Sequence, residues 1–249
     1  MAGHSAHVGV ALSCVDIIAV LYERILNCTP DTVTDPHRDR FILSKGHGCM
    51  ALYAVLAQQG YIDRSLLSTY SRNGSPLAEH PLAGKVPGIE CATGSLGHGL
   101  AIGAGMAGGL KLQGSRAKVY VLLGDGECGE GSVWEGAALA SAARLDNLTV
   151  LIDENNLQAC APCNTISPQV DLSRCWSGFG WHVSGVDGHS YEDMAREFAA
   201  PGPAGVPRVI LCRTVKGRGI DFMENDLEWH YRPVCGTEYD KALQRLNHA

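Results

Sequence analysis

The stretch Lys118-Val119-Tyr120-Val121-Leu122-Leu123-Gly124-Asp125-Gly126 decides the fold, together with Leu148-Thr149-Val150-Leu151-Ile152-Asp153-Glu154-Asn155-Asn156 downstream. Each is a β-branched, apolar run that stops at polar residues. Such runs, apolar without alternation, suit parallel strands buried on both faces. Between them, Val133 to Arg144 has helical spacing. A strand, a helix and a second strand predict neighbouring parallel strands joined by a crossover. Further out, His182 to Val186 and Arg208 to Arg213 read as two more strands, with a helix around Tyr191 to Phe198 between them. Ala200 to Pro207, with three prolines, is a surface loop. Upstream, Asp16 to Leu26 predicts a helix capped by Ser13 or Asp16, with Pro30 beyond its end. Gly46 to Gln59 predicts a second, closed by Gly60, and Gly97 to Leu112 a third whose small residues allow close packing. The expected class is α/β, a parallel sheet with helices on both faces. No internal repeat or low-complexity tract is visible.

The bulk numbers agree. The chain has 249 residues, 45% hydrophobic and 18% charged, enough for a substantial core. A net charge of -6 gives no electrostatic reason to seek nucleic acid or an anionic membrane. The ten cysteines lie mostly in apolar runs, as at Cys14, Cys28, Cys49, Cys91 and Cys212, and read as buried thiols in a reducing cytoplasm. Met1 to Val10 carries no basic run followed by an apolar stretch. Leu96 to Leu112 is too short and too interrupted by glycine to span a bilayer.

Ligands of an open parallel sheet sit beyond the carboxyl ends of its strands. Two such ends are polar here, Gly124-Asp125-Gly126 and Asp153-Glu154-Asn155-Asn156. As neighbours, they let the Asp125 carboxylate and the Asn155 amide oxygen face a common point. Hard oxygens of this kind suit Mg²⁺ or Ca²⁺, with diphosphate oxygens completing the shell. Gly124 and Gly126 let backbone N–H groups approach phosphates closely. Gly-Asp-Gly alone is a common turn, and the second polar strand end is what lifts it above that reading.

Ten histidines is a high count, and several sit beside glycine. Five have suggestive neighbours: Ala6-His7-Val8-Gly9, Ser44-Lys45-Gly46-His47-Gly48, Glu79-His80-Pro81, Gly94-Ser95-Leu96-Gly97-His98-Gly99 and Glu228-Trp229-His230. Imidazoles that donate or accept at neutral pH suit a polyhydroxylated substrate and proton transfer to its oxygens. His4, His37, His182, His189 and His248 read as structural or exposed.

The run from Gly124 to Asn156 resembles the thiamine-diphosphate motif, a Gly-Asp-Gly and then an asparagine after nearly thirty residues. Its interior, Glu127-Cys128-Gly129-Glu130-Gly131-Ser132-Val133-Trp134-Glu135, resembles transketolase, as do Leu145 to Val150 and the five histidine contexts. The resemblance implies a thiamine-diphosphate-binding fold. Residues 1–249 would form a single diphosphate-binding domain with a C-terminal extension from about 214 to 249. It implies metal binding, by Mg²⁺ with Ca²⁺ or Mn²⁺ as alternatives, through Asp125, Asn155 and the Leu157 carbonyl. His7, His80 and His230 would touch a ketose donor, and His47 would lie by the thiazolium. Gly94, Ser95 and Leu96 would face the cofactor, joined by His98, by Gly124, Gly126 and Glu127 of the motif, and by Lys216 near the diphosphate. Glu130 would lie in a relay between two cofactor sites. The bland alternatives are a solvated lysine for Lys216 and an exposed loop carboxylate for Glu130.

No stretch resembles the family's pyrimidine-binding or C-terminal domains. The cofactor-activating glutamate and the phosphate-gripping arginines are therefore expected on a second polypeptide, in an α₂β₂ assembly acting on sugar phosphates. Only five residues precede Ala6, where the family normally has a helix, so the chain is expected to be short or to start late. Three other readings stay open. They are transfer of the two-carbon unit to a carrier thiol or a specialised sugar, a non-catalytic regulatory subunit, and, more distantly, a 2-oxoacid dehydrogenase-type subunit. Cys160-Ala161-Pro162-Cys163 could be redox-active or half a zinc site, but no second pair has suitable spacing and a loop coincidence is favoured.

Overall fold

The two apolar runs form the middle of a parallel sheet. The computed structural model describes residues 6–167 and 170–248, so His4 lies outside the described residues. In chain order come α1 (Val8–Val20), β1 (Arg40–Leu43), α2 (Cys49–Gln58), α3 (His98–Leu112), β2 (Val119–Gly124), α4 (Gly131–Ala142) and β3 (Leu148–Glu154). There follow α5 (Cys163–Ile166), α6 (Leu172–Gly178), β4 (His182–Asp187), α7 (Tyr191–Ala199), β5 (Arg208–Arg213) and α8 (Thr237–His248). The strand order is β1-β2-β3-β5-β4, and every pairing is parallel. The register places Gly124 opposite Asp153 and Glu154 opposite Arg213, so the polar strand ends lie level.

Alternation along the strands divides the core in two. Phe41, Leu43, Tyr120, Leu122, Leu151 and Ile210 pack with α1, α2 and α7 on one face. Ile42, Val119, Val121, Val150, Ile152 and Val209 pack with α3, α4 and Trp176 of α6 on the other. Both sheet faces are thus covered, which is why the central strands read as continuous apolar runs. After β5, Ile220, Met223, Trp229, Val234 and Ala242 form a third cluster, against Val8 and Leu12 of α1.

Several element limits differ from expectation. The first helix begins at Val8, not near Asp16, and continues through wider turns to Ile25. Its N-cap is His7, in the left-handed region at φ 73 with no side-chain capping bond. Ser13 is fully buried inside the helix instead of capping it. Gly46–Gly48 is a tight 3₁₀ turn, and the second helix proper starts at Cys49. β1, α6 and α8 had no clear sequence signal. β1 has only four residues and follows charged Arg38 and Asp39. No helix among the described residues is long and apolar enough to cross a membrane.

α3 lies very close to the end of β1. A Cβ on Gly99 would come within 2.9 Å of the Ser44 Cα, a backbone atom that cannot swing away. Gly99→Ala should therefore cost a net 1–2 kcal/mol or so, because overpacking outweighs alanine's gain of about 1 kcal/mol in helix propensity. Urea unfolding of the two proteins measures this.

Candidate active site

Five strands end on one side of the sheet, and their loops build one site. The Asp125 N–H donates to the Asp153 carbonyl at 3.2 Å, which continues the β2–β3 ladder by one bond. The Asp125 carboxylate accepts from the Gly126 N–H at 2.7 Å and from the Asn156 N–H. Asn156 adopts φ 62, which turns the chain back over Asp125. Asn155 is buried; its Nδ2 donates to Asp153 Oδ2 at 3.2 Å, and its Oδ1 accepts from the Leu157 N–H at 3.0 Å. Burial, then the neighbouring Asp153, pushes the Asp125 carboxyl up to about 6, although two backbone N–H groups and Lys45 oppose the shift.

The centre of the assembly is an ion pair that the sequence reading did not single out. Lys45, just past β1, donates to Asp153 of β3, and both are essentially buried. Asp153 also accepts from Ser13 Oγ of α1 at 2.6 Å and from Thr214 Oγ1 just past β5. Burial alone would raise the Asp153 carboxyl, but Lys45, Ser13 and Thr214 bring it below the usual aspartate value. Burial likewise depresses Lys45, yet Asp153 more than offsets this and raises it. Glu127 makes a second buried clamp. Its carboxylate accepts from Gly97 N–H at 2.8 Å, Gly124 N–H at 3.1 Å and the Ser44 hydroxyl, joining α3, β2 and the β1 loop.

Four imidazoles gather above these clamps. Ring centroids lie 5.4 Å apart for His7 and His47, 5.3 Å for His7 and His230, 5.6 Å for His47 and His230, and 6.4 Å for His7 and His80. The His7 N–H donates to the His230 carbonyl at 3.0 Å, so residues 223 positions apart are tied by backbone. Burial, followed by Lys45 and the other imidazoles, drives His47 down to about 2. Burial and Lys216 take His230 to about 3, and His7 is lowered by burial and His80. These three rings are therefore neutral near pH 7. Lys216 Nζ lies 2.8 Å from His230 Nδ1 and donates to the Gln158 carbonyl at 3.1 Å. Burial and Lys45 lower Lys216 to about 8. As the ammonium it donates to Nδ1, so the neutral His230 ring carries its proton on Nε2. Gly94, at φ 144, lies against His80, and a Cβ there would sit 2.8 Å from the ring.

One cavity of about 400 Å³ is lined by His7, His47, His80 and His230, by Gly94 and Leu96, and by Gly124, Asp125, Gly126, Glu127, Glu130, Asn155, Leu157 and Lys216. Of the residues expected at the cofactor, Ser95 and His98 are not in that lining, and both are exposed. Val10, Lys45, Gln158, Ala159 and Tyr231 also line it and were not anticipated. Lys45 and Tyr231 each neighbour a predicted histidine in sequence, which was the signal available. His189 has a structural role. Its Nε2 accepts from the Val215 N–H at 2.8 Å and its Nδ1 lies 2.8 Å from Asp16 Oδ2, bracing the loop that carries Lys216.

Cys160 and Cys163 are both free thiols. The 157–162 segment is a tight hairpin closed by a bridge from Leu157 to Pro162. Burial and Asp125 push the Cys163 thiol up to about 12, the reverse of a reactive cysteine. Among the described residues no three His, Cys, Asp or Glu side chains cluster as a metal site.

Lys45→Met should cost about 3–5 kcal/mol by leaving Asp153 buried without its partner. Asp153, lowered when folded, contributes stability above its ordinary 3.8 that is lost as pH falls through the folded value. Lys45, raised when folded, contributes below its ordinary 10.5 and loses this as pH rises through the folded value. The deficit of Lys45→Met in urea unfolding should therefore be largest between these limits and shrink below pH 3.8. Replacing Cys160 and Cys163 together by serine should leave activity insensitive to oxidant or reductant, as in the unaltered chain. A redox response lost only in the double variant would count against this.

Comparison with known proteins identifies the family and the fold. A family model described as "Transketolase, thiamine diphosphate binding domain" matches residues 2–248. The chain is 42% identical over 240 residues to an apulose-4-phosphate transketolase subunit of Actinobacillus succinogenes, covering 96% of this chain and 87% of that one. It is 40% identical to a 6-deoxy-6-sulfo-D-fructose transketolase subunit of a Clostridium species, covering 96% and 88%. Human transketolase is 38% identical over 98% of this chain, which spans only 39% of the human protein. The crystal structure of Campylobacter jejuni transketolase superposes with a TM-score of 0.90 at 29% identity, over 98% of this chain and 39% of that one. The chain belongs to the transketolase family, as its thiamine diphosphate binding domain, and has the thiamine-diphosphate-binding fold.

Proposed function

We propose that this chain is the diphosphate-binding subunit of a thiamine-diphosphate-dependent transketolase. It moves a two-carbon ketol unit from a ketose phosphate to an aldose acceptor, and a pyrimidine-binding subunit completes the site in trans. The observation that carries this reading is the set of four imidazoles facing the Asp125 and Asn155 loops across one cavity. Relatives covered almost end to end are named as transketolase subunits, which supports a split enzyme. We read residues 1–249 as one diphosphate-binding domain, with the segment from about 214 onward as its extension. We infer an α₂β₂ assembly, and a cytoplasmic setting because all ten cysteines are free thiols. Transfer to a carrier thiol and a non-catalytic role have no observation in their favour.

The residues fit the cofactor and its metal. Asp125 is a buried carboxylate, and Asn155 Oδ1 keeps a lone pair beyond the one that Leu157 uses. With the Leu157 carbonyl they offer hard oxygens that suit Mg²⁺. The Gly124 and Gly126 N–H groups are held by Glu127 and Asp125, so the positive charge for a diphosphate comes from Lys216 in the cavity lining. His7, which lines the cavity, has a buried Nδ1 without a hydrogen-bond partner. When bound, thiamine diphosphate supplies the nucleophilic carbon and the electron sink needed to break a bond beside a carbonyl.

The chain's own groups then handle the sugar. His230 presents a proton at Nε2, held there because Lys216 occupies Nδ1. His47 and His7, neutral at working pH, can each give one proton and accept another at the donor's oxygens without a prior charge change. The buried setting keeps bulk water from competing for these bonds.

Titration calorimetry of thiamine diphosphate with Mg²⁺, on this chain alone and mixed with the pyrimidine-binding subunit, tests the reading. Tight binding is expected in the mixture only, and Asp125→Ala should weaken it by at least about tenfold, the loss that even outer-shell partners of metal ligands bring. Absence of binding in the mixture would overturn it.

A further inference from the structure

Tyr231 comes directly after the proton-bearing His230, and nothing in the cofactor chemistry calls for it. Its backbone is fixed, since it ends the 3₁₀ turn Leu227–His230 with its N–H donating to the Glu228 carbonyl. Its ring is pinned edge-on against two imidazoles, with centroids 4.6 Å from His230 and 5.4 Å from His7. Yet the residue is 62% exposed, whereas Trp229, two positions earlier, is 3% exposed and belongs to the apolar cluster under α1. The fold therefore uses Trp229 and does not need Tyr231. Among the described residues the Tyr231 hydroxyl has no hydrogen-bond partner, and the side chain lines the same cavity as the four histidines.

The surrounding charges define what this wall can recognise. The next residue, Arg232, is turned away, with its guanidinium 4.7 Å over the Trp229 ring and paired with Glu228 and Glu238. The cations in the cavity lining, Lys45 and Lys216, are deep and already engaged with Asp153, His230 and Gln158. The wall beside His230 is thus aromatic with one free hydroxyl, not an anion clamp. Such a surface suits a carbon chain with C–H bonds on one side and hydroxyls on the other.

We propose that Tyr231 is a specificity-determining residue, whose ring packs on the C–H face of the ketose chain beyond its first hydroxyls and whose phenol bonds a sugar hydroxyl there. The claim rests on the ketol-transfer reading, and it adds selection of donors by the length and shape of the chain beyond the reacting carbons. His7 and His230 meet the reacting end, and Tyr231 meets the more distant carbons.

The test uses the reconstituted two-subunit enzyme with two donors, the four-carbon L-erythrulose and the six-carbon D-fructose 6-phosphate, for Tyr231→Ala and Tyr231→Phe. Tyr231→Ala should raise the ratio of the six-carbon KM to the four-carbon KM about tenfold, the loss of one aromatic contact and one hydrogen bond. Tyr231→Phe, which keeps the ring, should recover more than half of that shift on a logarithmic scale. The cofactor Kd should move less than about twofold in both, since it reads the other end of the cavity. An unchanged KM ratio in Tyr231→Ala would overturn the assignment. So would an equal rise for both donors with a weakened cofactor, which would make the ring a prop for His7 and His230. If the unaltered pair turns over neither ketose, the ketol-transfer reading fails and takes this one with it.

Discussion

The site depends on one buried ion pair. Lys45 and Asp153 lie 108 positions apart and meet where β1 and β3 end, with Ser13 of α1 and Thr214 past β5 completing the carboxylate's bonds. A pair this deep is a poor source of net stability, because desolvating two charges offsets their attraction. A well-packed apolar replacement could stabilise the fold equally well. It could not hold the Asn155 amide, whose nitrogen is fixed on Asp153 so that its oxygen faces the other way. The pair contributes geometry: it sets where three strand ends lie relative to one another and to the middle of α1. Glu127 does the same one layer away, with its donors drawn from the α3 cap, the end of β2 and the loop after β1.

That packing decides the electrostatics of the cavity. Two lysines and four imidazoles share a confined space, so protonating His7, His47 or His230 must overcome both burial and like charge. The outcome is neutral rings at His47 and His230 under a positive background from Lys45 and Lys216. Such a background suits an anionic diphosphate, while neutral imidazoles keep both donor and acceptor capacity for a sugar. The Lys216–His230 contact adds a direction, because the Lys216 ammonium can only donate and so leaves the imidazole proton on the far nitrogen.

Legibility in the sequence followed how local each signal was. β2 and β3 were readable because strands buried on both faces are apolar throughout and end sharply at Gly124 and Asp153. β1 was not, since four residues beside Arg38 and Arg40 make no pattern of their own. The first helix was placed too late because its true start uses His7 in a left-handed conformation, without the side-chain cap that a sequence advertises. Asp125, Asn155, His7, His47, His80 and His230 stood out by their glycine-rich or polar neighbours, and the cavity brings all of them together. Lys45 lay in plain view between Ser44 and Gly46, but a lysine is read as solvated until its buried partner is known. Ser95 and His98 lie outside the cavity lining and are exposed, although Gly94 and Leu96 beside them line it.

By itself, the sequence determined the α/β class, the family resemblance, the polar strand ends and the histidines worth watching. These depend on residue type and short spacing, which the chain carries without folding. The tertiary structure decided which groups are charged, which ring nitrogen holds a proton, and which side chains face a common space. Those properties arise from burial and from contacts between distant segments, such as His7 with His230 and Lys45 with Asp153, and no local pattern encodes a desolvation energy or a distance across the sheet.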